Sequence, residues 1–220
     1  MAKPCVLVTG FAPFGGETIN PSWEAVSQLE GEAIGLQQSH IIHTKELPCE
    51  FDKALVALYQ AIDKYHPSLV LCVGQAGGRA AISIERVAIN INDARIADNA
   101  GKQPIDTAVI TGGPVAYWAA LPIKRLVQAL HQAQIPAEVS NSAGTYVCNH
   151  VMYGLLHYID TQQLDCQGGF VHIPYLPEQA VKHSGAASMS ASNVQQALKV
   201  ILTEALANPI DIKLAAGTTH

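Results

Sequence analysis

The chain has 220 residues, of which 49% are hydrophobic and 14% charged, with a formal net charge of −5 at pH 7. This size and apolar content suit one large domain, residues 1–220. A negative chain without a Lys/Arg cluster is not expected to bind nucleic acid, and its longest apolar runs are too short to span a bilayer. The N-terminus lacks a signal peptide's apolar region and the five cysteines show no paired framework, which predicts a cytoplasmic protein.

Strand and helix signals alternate along the chain. Continuous apolar or β-branched runs predict strands over 5–9, 40–46, 69–73, 82–91 (strand or hairpin), 137–140 and 169–173. Helical periodicity predicts helices over 23–29, 51–65, 122–134, 147–160 and 193–206. The alternation implies an α/β fold, a three-layer α/β/α domain with a mainly parallel, mixed and twisted central sheet.

The segment 92–114 is polar, rich in glycine and proline, and long for a connection. Long irregular segments inside compact domains are often functional loops. We therefore expect this segment to contribute to a site.

Cys148 carries the strongest chemical signal. Small residues from Ser142 lead into a helix-period apolar run, and Cys148 lies where that helix begins. Unpaired backbone N–H groups and the positive end of the helix dipole favour a thiolate there. The thiolate is the attacking species in cysteine catalysis, so Cys148 is a candidate nucleophile, although most cysteines are structural.

His172 is the candidate general base. It ends a short apolar strand and is followed by Pro174, which stops that strand. His150 is nearer in sequence, but residues two apart on a helix point in nearly opposite directions. A Cys/His pair usually needs an orienting carboxylate or amide. Spacing alone leaves three acids open for this role: Glu85, Asp93 and Asp98.

Cofactor and metal signals are weak. The glycines after the first strand do not form GxGxxG, and no GxxxxGK[ST] is present. His40 and His43 fall on opposite faces of an extended segment, and HExxH is absent. The cluster Gly74–Arg79 permits close backbone approach to a ligand but equally suits a tight turn. No metal or cofactor is expected.

Seven segments together resemble the pyrrolidone carboxyl peptidases, the pyroglutamyl peptidase I family of cysteine peptidases. They occur in the same order along nearly the whole chain: 10–16, 20–25, 73–79, 85–90, 93–99, 143–150 and 168–179. The resemblance implies hydrolytic removal of an N-terminal pyroglutamyl residue from peptides through a thioester, without metal or cofactor, by a homo-oligomer that is often a tetramer.

The resemblance also implies residue roles. Cys148 is the nucleophile, His172 the base, and Glu85 the acidic partner that spacing left open. Substrate-binding roles are implied for Phe11 and Phe14 as a ring sandwich, Asn20 and Gln75 near the ring, Arg95 at the oxyanion, and Tyr146 as an aromatic wall where many relatives have phenylalanine.

Two other activities compete with this interpretation. A nucleoside phosphorylase-like enzyme could share the topology, but the sequence offers no basic or P-loop phosphate cradle. A non-catalytic binding module could use Phe11 and Phe14, but leaves the co-occurrence of Cys148, His172 and Glu85 unexplained.

Overall fold

The computed structural model describes residues 3–217, in which strands and helices alternate along the chain. Its strands are β1 (Cys5–Phe11), β2 (Ala33–Ile34), β3 (His40–Leu47), β4 (Leu69–Gln75), β5 (Ile82–Glu85), β6 (Val87–Ile89), β7 (Ala116–Trp118), β8 (Ala137–Ser140) and β9 (Gln167–Ile173). Its α-helices are α1 (Pro21–Val26), α2 (Phe51–Tyr65), α3 (Ile123–Gln132), α4 (Val147–Thr161), α5 (Pro177–Ala180) and α6 (Ala191–Ala207). None of the helices described in 3–217 is long and apolar enough to cross a membrane.

A seven-stranded sheet in the order β2-β3-β1-β4-β9-β5-β8 forms the centre of the molecule. The pairs β1/β3, β1/β4, β4/β9 and β5/β8 are parallel, whereas β2/β3 and β5/β9 are antiparallel. The expectation of a mainly parallel, mixed sheet is confirmed. Strands β6 and β7 pair separately as a small antiparallel ribbon.

The sheet is buried on both faces because successive strand side chains point to opposite sides. In β1, Val6 and Val8 belong to a core shared with α1, α3 and α6, whereas Leu7 belongs to a core shared with α2 and α4. Helices therefore cover both faces, and the three-layer prediction is confirmed.

The element boundaries differ from the predicted ones where tertiary pairing decides them. The predicted segment 82–91 divides at Arg86 into β5, which joins the large sheet, and β6, which joins the ribbon. The predicted helix 23–29 is α1 followed by a 3₁₀ turn over Ser27–Leu29, and Asn20 caps it by accepting from the Ser22 N–H. The short elements β2, β7 and α5 were not predicted.

The segment 92–114 is irregular, as expected, and runs between β6 and β7. It is held by backbone and side-chain bonds, including an isolated bridge between Asn92 and Thr107. Asn99 Nδ2 donates to the Pro13 carbonyl (2.8 Å), which joins this segment to the loop after β1. The two loops therefore meet on one side of the sheet, where the candidate site lies.

Candidate active site

Cys148 lies in the first turn of α4, which confirms the predicted start of this helix. Tyr146 is the extended residue before the helix, and Gly144 turns the preceding loop at a positive φ of 78°. The thiol is partly exposed, whereas Val147 and Asn149 on either side are buried. The local sequence thus presents one polar atom at the helix start.

Glycine at position 74 lets the thiol approach the sheet. A Cβ atom at Gly74 would lie 2.9 Å from Cys148 Sγ and 2.8 Å from Phe170 Cζ, so a side chain there would displace the thiol. Gly74 of β4 pairs in register with His172 of β9. The thiol therefore rests over the strand pair that carries His172, and both residues line one cavity.

Glu85 lies behind His172. The β5/β9 pairing sets Ser83 opposite His172, and Glu85 is two residues further along the same face of β5. Glu85 Oε1 is 2.7 Å from His172 Nδ1, and both side chains are almost fully buried. Because a carboxylate only accepts, Nδ1 carries the proton and Nε2 is left as an acceptor. Arg79 Nη1 donates to the same Glu85 oxygen at 2.7 Å.

The other two acids that spacing left open do not bond to His172. Asp98 is buried and accepts backbone N–H groups from Phe51, Ala100 and Lys102 at 2.8–2.9 Å, so it organises its own loop. Asp93 is exposed and lines the same cavity as Cys148. Of the three acids, Glu85 is the one that bonds to His172.

Burial raises the pKa of the Cys148 thiol well above its ordinary value, and the nearby Cys49 and Glu85 act in the same direction, while Arg79 opposes them. This direction is opposite to the one expected from the helix start alone. A single exposed dipole end is a weaker influence than loss of hydration. Burial likewise raises the pKa of Cys49, Cys72 and Cys166 to about 12.

The cavity has a volume of about 430 Å³ and opens beside the thiol. Six of the predicted site residues share it: Phe14, Gln75, Arg95, Tyr146, Cys148 and His172. The rings of Phe14 and Tyr146 approach each other at 6.2 Å between centroids. The cavity thus combines aromatic walls with an amide, a guanidinium and the thiol–imidazole pair.

Phe11 and Asn20 lie outside this lining. Phe11 is 2% exposed and packs against Phe170 at 6.3 Å between ring centroids. Asn20 is also buried, and its Nδ2 donates to the Ala12 carbonyl at 3.1 Å. Both residues support the loop that carries Phe14, and their contact with a substrate ring stays a prediction.

The lining also includes residues that were not singled out from the sequence, among them Thr145, Tyr175 and Ile96. Tyr175 stands over Gly77, where a Cβ atom would lie 2.2 Å from the tyrosine hydroxyl. Both positions belong to segments noted in the sequence, but only the fold brings those segments together. No group of three or more His, Cys, Asp or Glu side chains in the described 3–217 range is arranged to hold a metal ion.

The chain is similar to known proteins over nearly its whole length. The profile of the pyroglutamyl peptidase family matches residues 4–208. Pyrrolidone-carboxylate peptidase 1 of Photorhabdus laumondii is 54% identical, covering 98% of this chain and 99% of its own length. Pyrrolidone-carboxylate peptidase of Erwinia tasmaniensis is 57% identical with the same coverage.

Solved structures agree with this similarity. The crystal structure of pyroglutamyl peptidase I from Bacillus amyloliquefaciens superposes with a TM-score of 0.93 at 48% identity, covering 97% of this chain and all of that one. A mutant pyrrolidone carboxyl peptidase from Pyrococcus furiosus superposes with a TM-score of 0.88 at 43% identity, covering 92% of this chain and 98% of that one.

Proposed function

The chain belongs to the pyroglutamyl peptidase family, and we propose that Cys148, His172 and Glu85 perform its reaction. The protein is a cysteine peptidase that hydrolytically removes an N-terminal pyroglutamyl (5-oxoprolyl) residue from peptides. One observation carries the residue assignment: thiol and imidazole share a cavity, and the Glu85 carboxylate lies 2.7 Å behind the imidazole. The family assignment decides against the phosphorylase-like and non-catalytic alternatives.

The first step is attack by sulfur on the carbonyl carbon that joins pyroglutamate to the next residue. His172 Nε2 takes the thiol proton as the S–C bond forms. Burial raises the pKa of the Cys148 thiol, so the thiol needs a base to take its proton. Glu85 holds the imidazole in the tautomer with Nδ1–H and stabilises the imidazolium that results.

The carbonyl oxygen becomes an oxyanion as sulfur adds. We assign its stabilisation to the backbone N–H of Cys148, which lies in the first turn of α4, and to Arg95, which lines the same cavity. A donor of this kind lowers the barrier by about 3 kcal/mol. Arg95 is exposed and forms no ion pair within residues 3–217, so its side chain can move toward the substrate without breaking one.

Collapse of the tetrahedral species breaks the C–N bond, and the imidazolium gives its proton to the leaving amine. The pyroglutamyl group remains on Cys148 as a thioester. His172 then takes a proton from water, the hydroxyl adds to the thioester, and pyroglutamate leaves as the thiol is restored. His172 carries each proton, so these reaction steps need no metal or organic cofactor.

The pyroglutamyl ring is a neutral lactam with two apolar faces. We assign its binding to the rings of Phe14 and Tyr146 and to the side-chain amide of Gln75, with Phe11 and Asn20 closing the pocket beneath. An N-terminal ammonium brought between these rings would lose hydration. The carboxylate of Asp93 is exposed at the cavity and stays hydrated, so it offers such an ammonium little compensation.

Location and assembly complete the proposal. All five cysteines are free, which suits a reducing cytoplasm. Large apolar side chains are exposed at Ile105, Val115 and Trp118, which suits a homo-oligomer, in our proposal a tetramer, that covers them. Light scattering on the purified protein measures the subunit number.

The function is tested with chromogenic pyroglutamyl, glutaminyl and prolyl amides that share one leaving group. We expect kcat/KM for the pyroglutamyl amide to exceed the other two by on the order of a thousandfold, because only the lactam enters without a buried unpaired charge. Cleavage of the glutaminyl amide within about tenfold of the pyroglutamyl amide would reject the lactam pocket. Equal inactivity toward all three amides would reject the function itself.

A further inference from the structure

Arg79 contacts Glu85, the proposed acidic partner of His172, at the same carboxylate oxygen that faces the histidine. Its Nη1 donates to Glu85 Oε1 at 2.7 Å, the oxygen that also accepts from His172 Nδ1 at 2.7 Å. Its Nη2 donates to the Ser142 carbonyl at 3.2 Å, in the loop that leads to Cys148. One planar guanidinium therefore joins the acid to the nucleophile loop, a geometry that the fork of arginine suits.

The turn after β4 delivers Arg79 to this position. Gly77 lies against Tyr175, and Gly78 has a positive φ of 90°, so neither position accepts an ordinary side chain without strain. The Arg79 N–H donates to the Ala76 carbonyl at 3.3 Å and closes the turn. A simple turn would explain the glycine cluster. The same turn also brings the Arg79 guanidinium to the buried end of β5.

Glu85 needs such a cation because its surroundings supply little else. Its side chain is fully buried, and its second oxygen, Oε2, has no hydrogen-bond partner within residues 3–217. An isolated buried carboxylate loses several kcal/mol of hydration. Arg79 is a fixed positive charge in direct contact with this carboxylate.

We propose that Arg79 is a positioning residue for the hydrolysis: it compensates the charge of Glu85, aims Oε1 at His172, and tethers the loop before Cys148. This inference rests on the proposed roles of Cys148, His172 and Glu85. Arg79 does not line the cavity, so it acts on the reaction through Glu85 and the loop rather than by touching substrate.

A charge so close to the proton-carrying groups sets the pH range of activity. Arg79 disfavours each proton that the Cys148–His172–Glu85 group binds, since like charges repel. Removing it therefore makes the group hold its protons more tightly, and both limbs of the pH profile of kcat/KM move to higher pH. The other titratable or charged side chains that face this group, from the cavity and the packed elements, remain in place: Cys49, Cys72, Asp93, Arg95, Tyr146 and Tyr175.

The experiment compares Arg79→Met and Arg79→Lys with the wild-type enzyme, using a pyroglutamyl amide across the pH range. For Arg79→Met we expect a fall in kcat of roughly 10- to 100-fold, from loss of charge-assisted bonds, with a smaller change in KM. We expect both limbs to move up by about one pH unit. The rate of Cys148 alkylation by iodoacetamide should shift with pH in the same direction, without any requirement for substrate.

Arg79→Lys keeps the charge but not the fork. We expect wild-type limb positions with only part of the lost kcat recovered, because one ammonium does not reach both Glu85 and Ser142 in the same geometry. Arg125→Met is the matched control, since it removes an equal charge from α3, where the Arg125 Nε donates to the Ile210 carbonyl far along the chain. Its pH profile should match that of the wild type.

Coincident pH limbs for Arg79→Met and wild type would overturn the inference, whatever the change in kcat. If circular dichroism shows that Arg79→Met is unfolded, the Arg79→Lys enzyme provides the test. A wild-type kcat in Arg79→Lys would overturn the role of the forked guanidinium. A reduced kcat with unchanged pH limbs would support that role. Failure of the underlying function is distinguishable, because wild-type enzyme would then lack activity or Cys148→Ala would keep it.

Discussion

Two buried histidines near Cys148 differ in the partner of the same ring nitrogen. His172 Nδ1 is 2.7 Å from a carboxylate oxygen of Glu85, and His150 Nδ1 is 3.0 Å from the amide oxygen of Asn92. Asn92 Nδ2 donates to the Ala108 carbonyl, which leaves its oxygen facing His150. Both imidazoles are therefore held in one orientation, but one partner is an anion and the other is neutral.

The difference decides what each imidazole can do. Burial lowers the pKa of His150 to about 4, since a neutral amide does not offset lost hydration of an imidazolium. Phe51 packs edge-on against His150 and further separates it from water. A carboxylate partner stabilises an imidazolium instead, which a general base requires during turnover. Burial alone makes a structural histidine, and burial beside an anion makes one suited to carry a proton.

The largest effect is expected from removing Cys148, the proposed nucleophile. Cys148→Ala should abolish hydrolysis of pyroglutamyl amides while the fold is kept, because no other group on the cavity wall can form the thioester. Activity is measured with a chromogenic amide, and folding by circular dichroism. Cys166→Ala is the control, since Cys166 lies outside the site and should be dispensable. More than trace turnover by a folded Cys148→Ala protein would contradict the assignment.

Glu85→Gln gives His172 the kind of partner that His150 has. We expect kcat/KM to fall on the order of 10³- to 10⁴-fold, as the amide does not stabilise an imidazolium or secure its tautomer. Steady-state kinetics across pH measure the loss. Glu138→Gln, on the neighbouring strand β8 where Glu138 accepts from Ser83 Oγ, should retain activity. A Glu85→Gln enzyme within about tenfold of wild type would show that the anion is not what separates the two histidines.

His150 should make the protein sensitive to mild acid. Its folded pKa of about 4 lies below the ordinary 6.5, so the unfolded state binds more protons between these values. The free energy of unfolding therefore rises with pH through this window and is lost as pH falls from 6.5 toward 4, by about 3 kcal/mol in total.

Urea unfolding at pH 7 and pH 4.5 tests this sensitivity. His150→Gln should lose about 2–3 kcal/mol less than wild type between the two pH values, whatever its stability at pH 7. His131→Gln, at an exposed histidine, should behave as wild type. Equal acid losses in His150→Gln and wild type would mean that the neutral partner does not hold His150 uncharged.

Tyr146 lies between the two regions and should give the smallest effect. Its ring faces Phe14 on the cavity side and packs edge-on against Phe51, which also contacts His150. Its hydroxyl donates to the Ala97 carbonyl at 3.2 Å in the loop that carries Arg95. Tyr146→Phe removes one hydrogen bond of about 1 kcal/mol, so KM should rise about fivefold with kcat nearly unchanged. A larger fall in kcat than in affinity would give the hydroxyl a role in the chemistry.

The sequence by itself determined the alternation of elements and the position of Cys148 at the start of a helix. Apolar runs of strand length, helical periodicity and the Asn20–Pro21 cap are local signals, and local physical chemistry acts on neighbouring residues. The same locality placed Cys148 at a helix start, His172 at a strand end, and His150 on the wrong side of its helix. The family resemblance identified Glu85 as the acidic partner of His172, whereas spacing did not distinguish Glu85 from Asp93 and Asp98.

Apart from the family resemblance, the tertiary structure was needed to separate those three acids, because local spacing does not determine strand order. Glu85 and His172 are 87 positions apart and meet because β5 lies antiparallel beside β9. The same packing buries Cys148 enough to raise its pKa, which reverses the expectation from the helix dipole, and it turns Arg79 toward Glu85. Burial and ion pairing depend on which distant segments meet, so they were decided only when the chain folded.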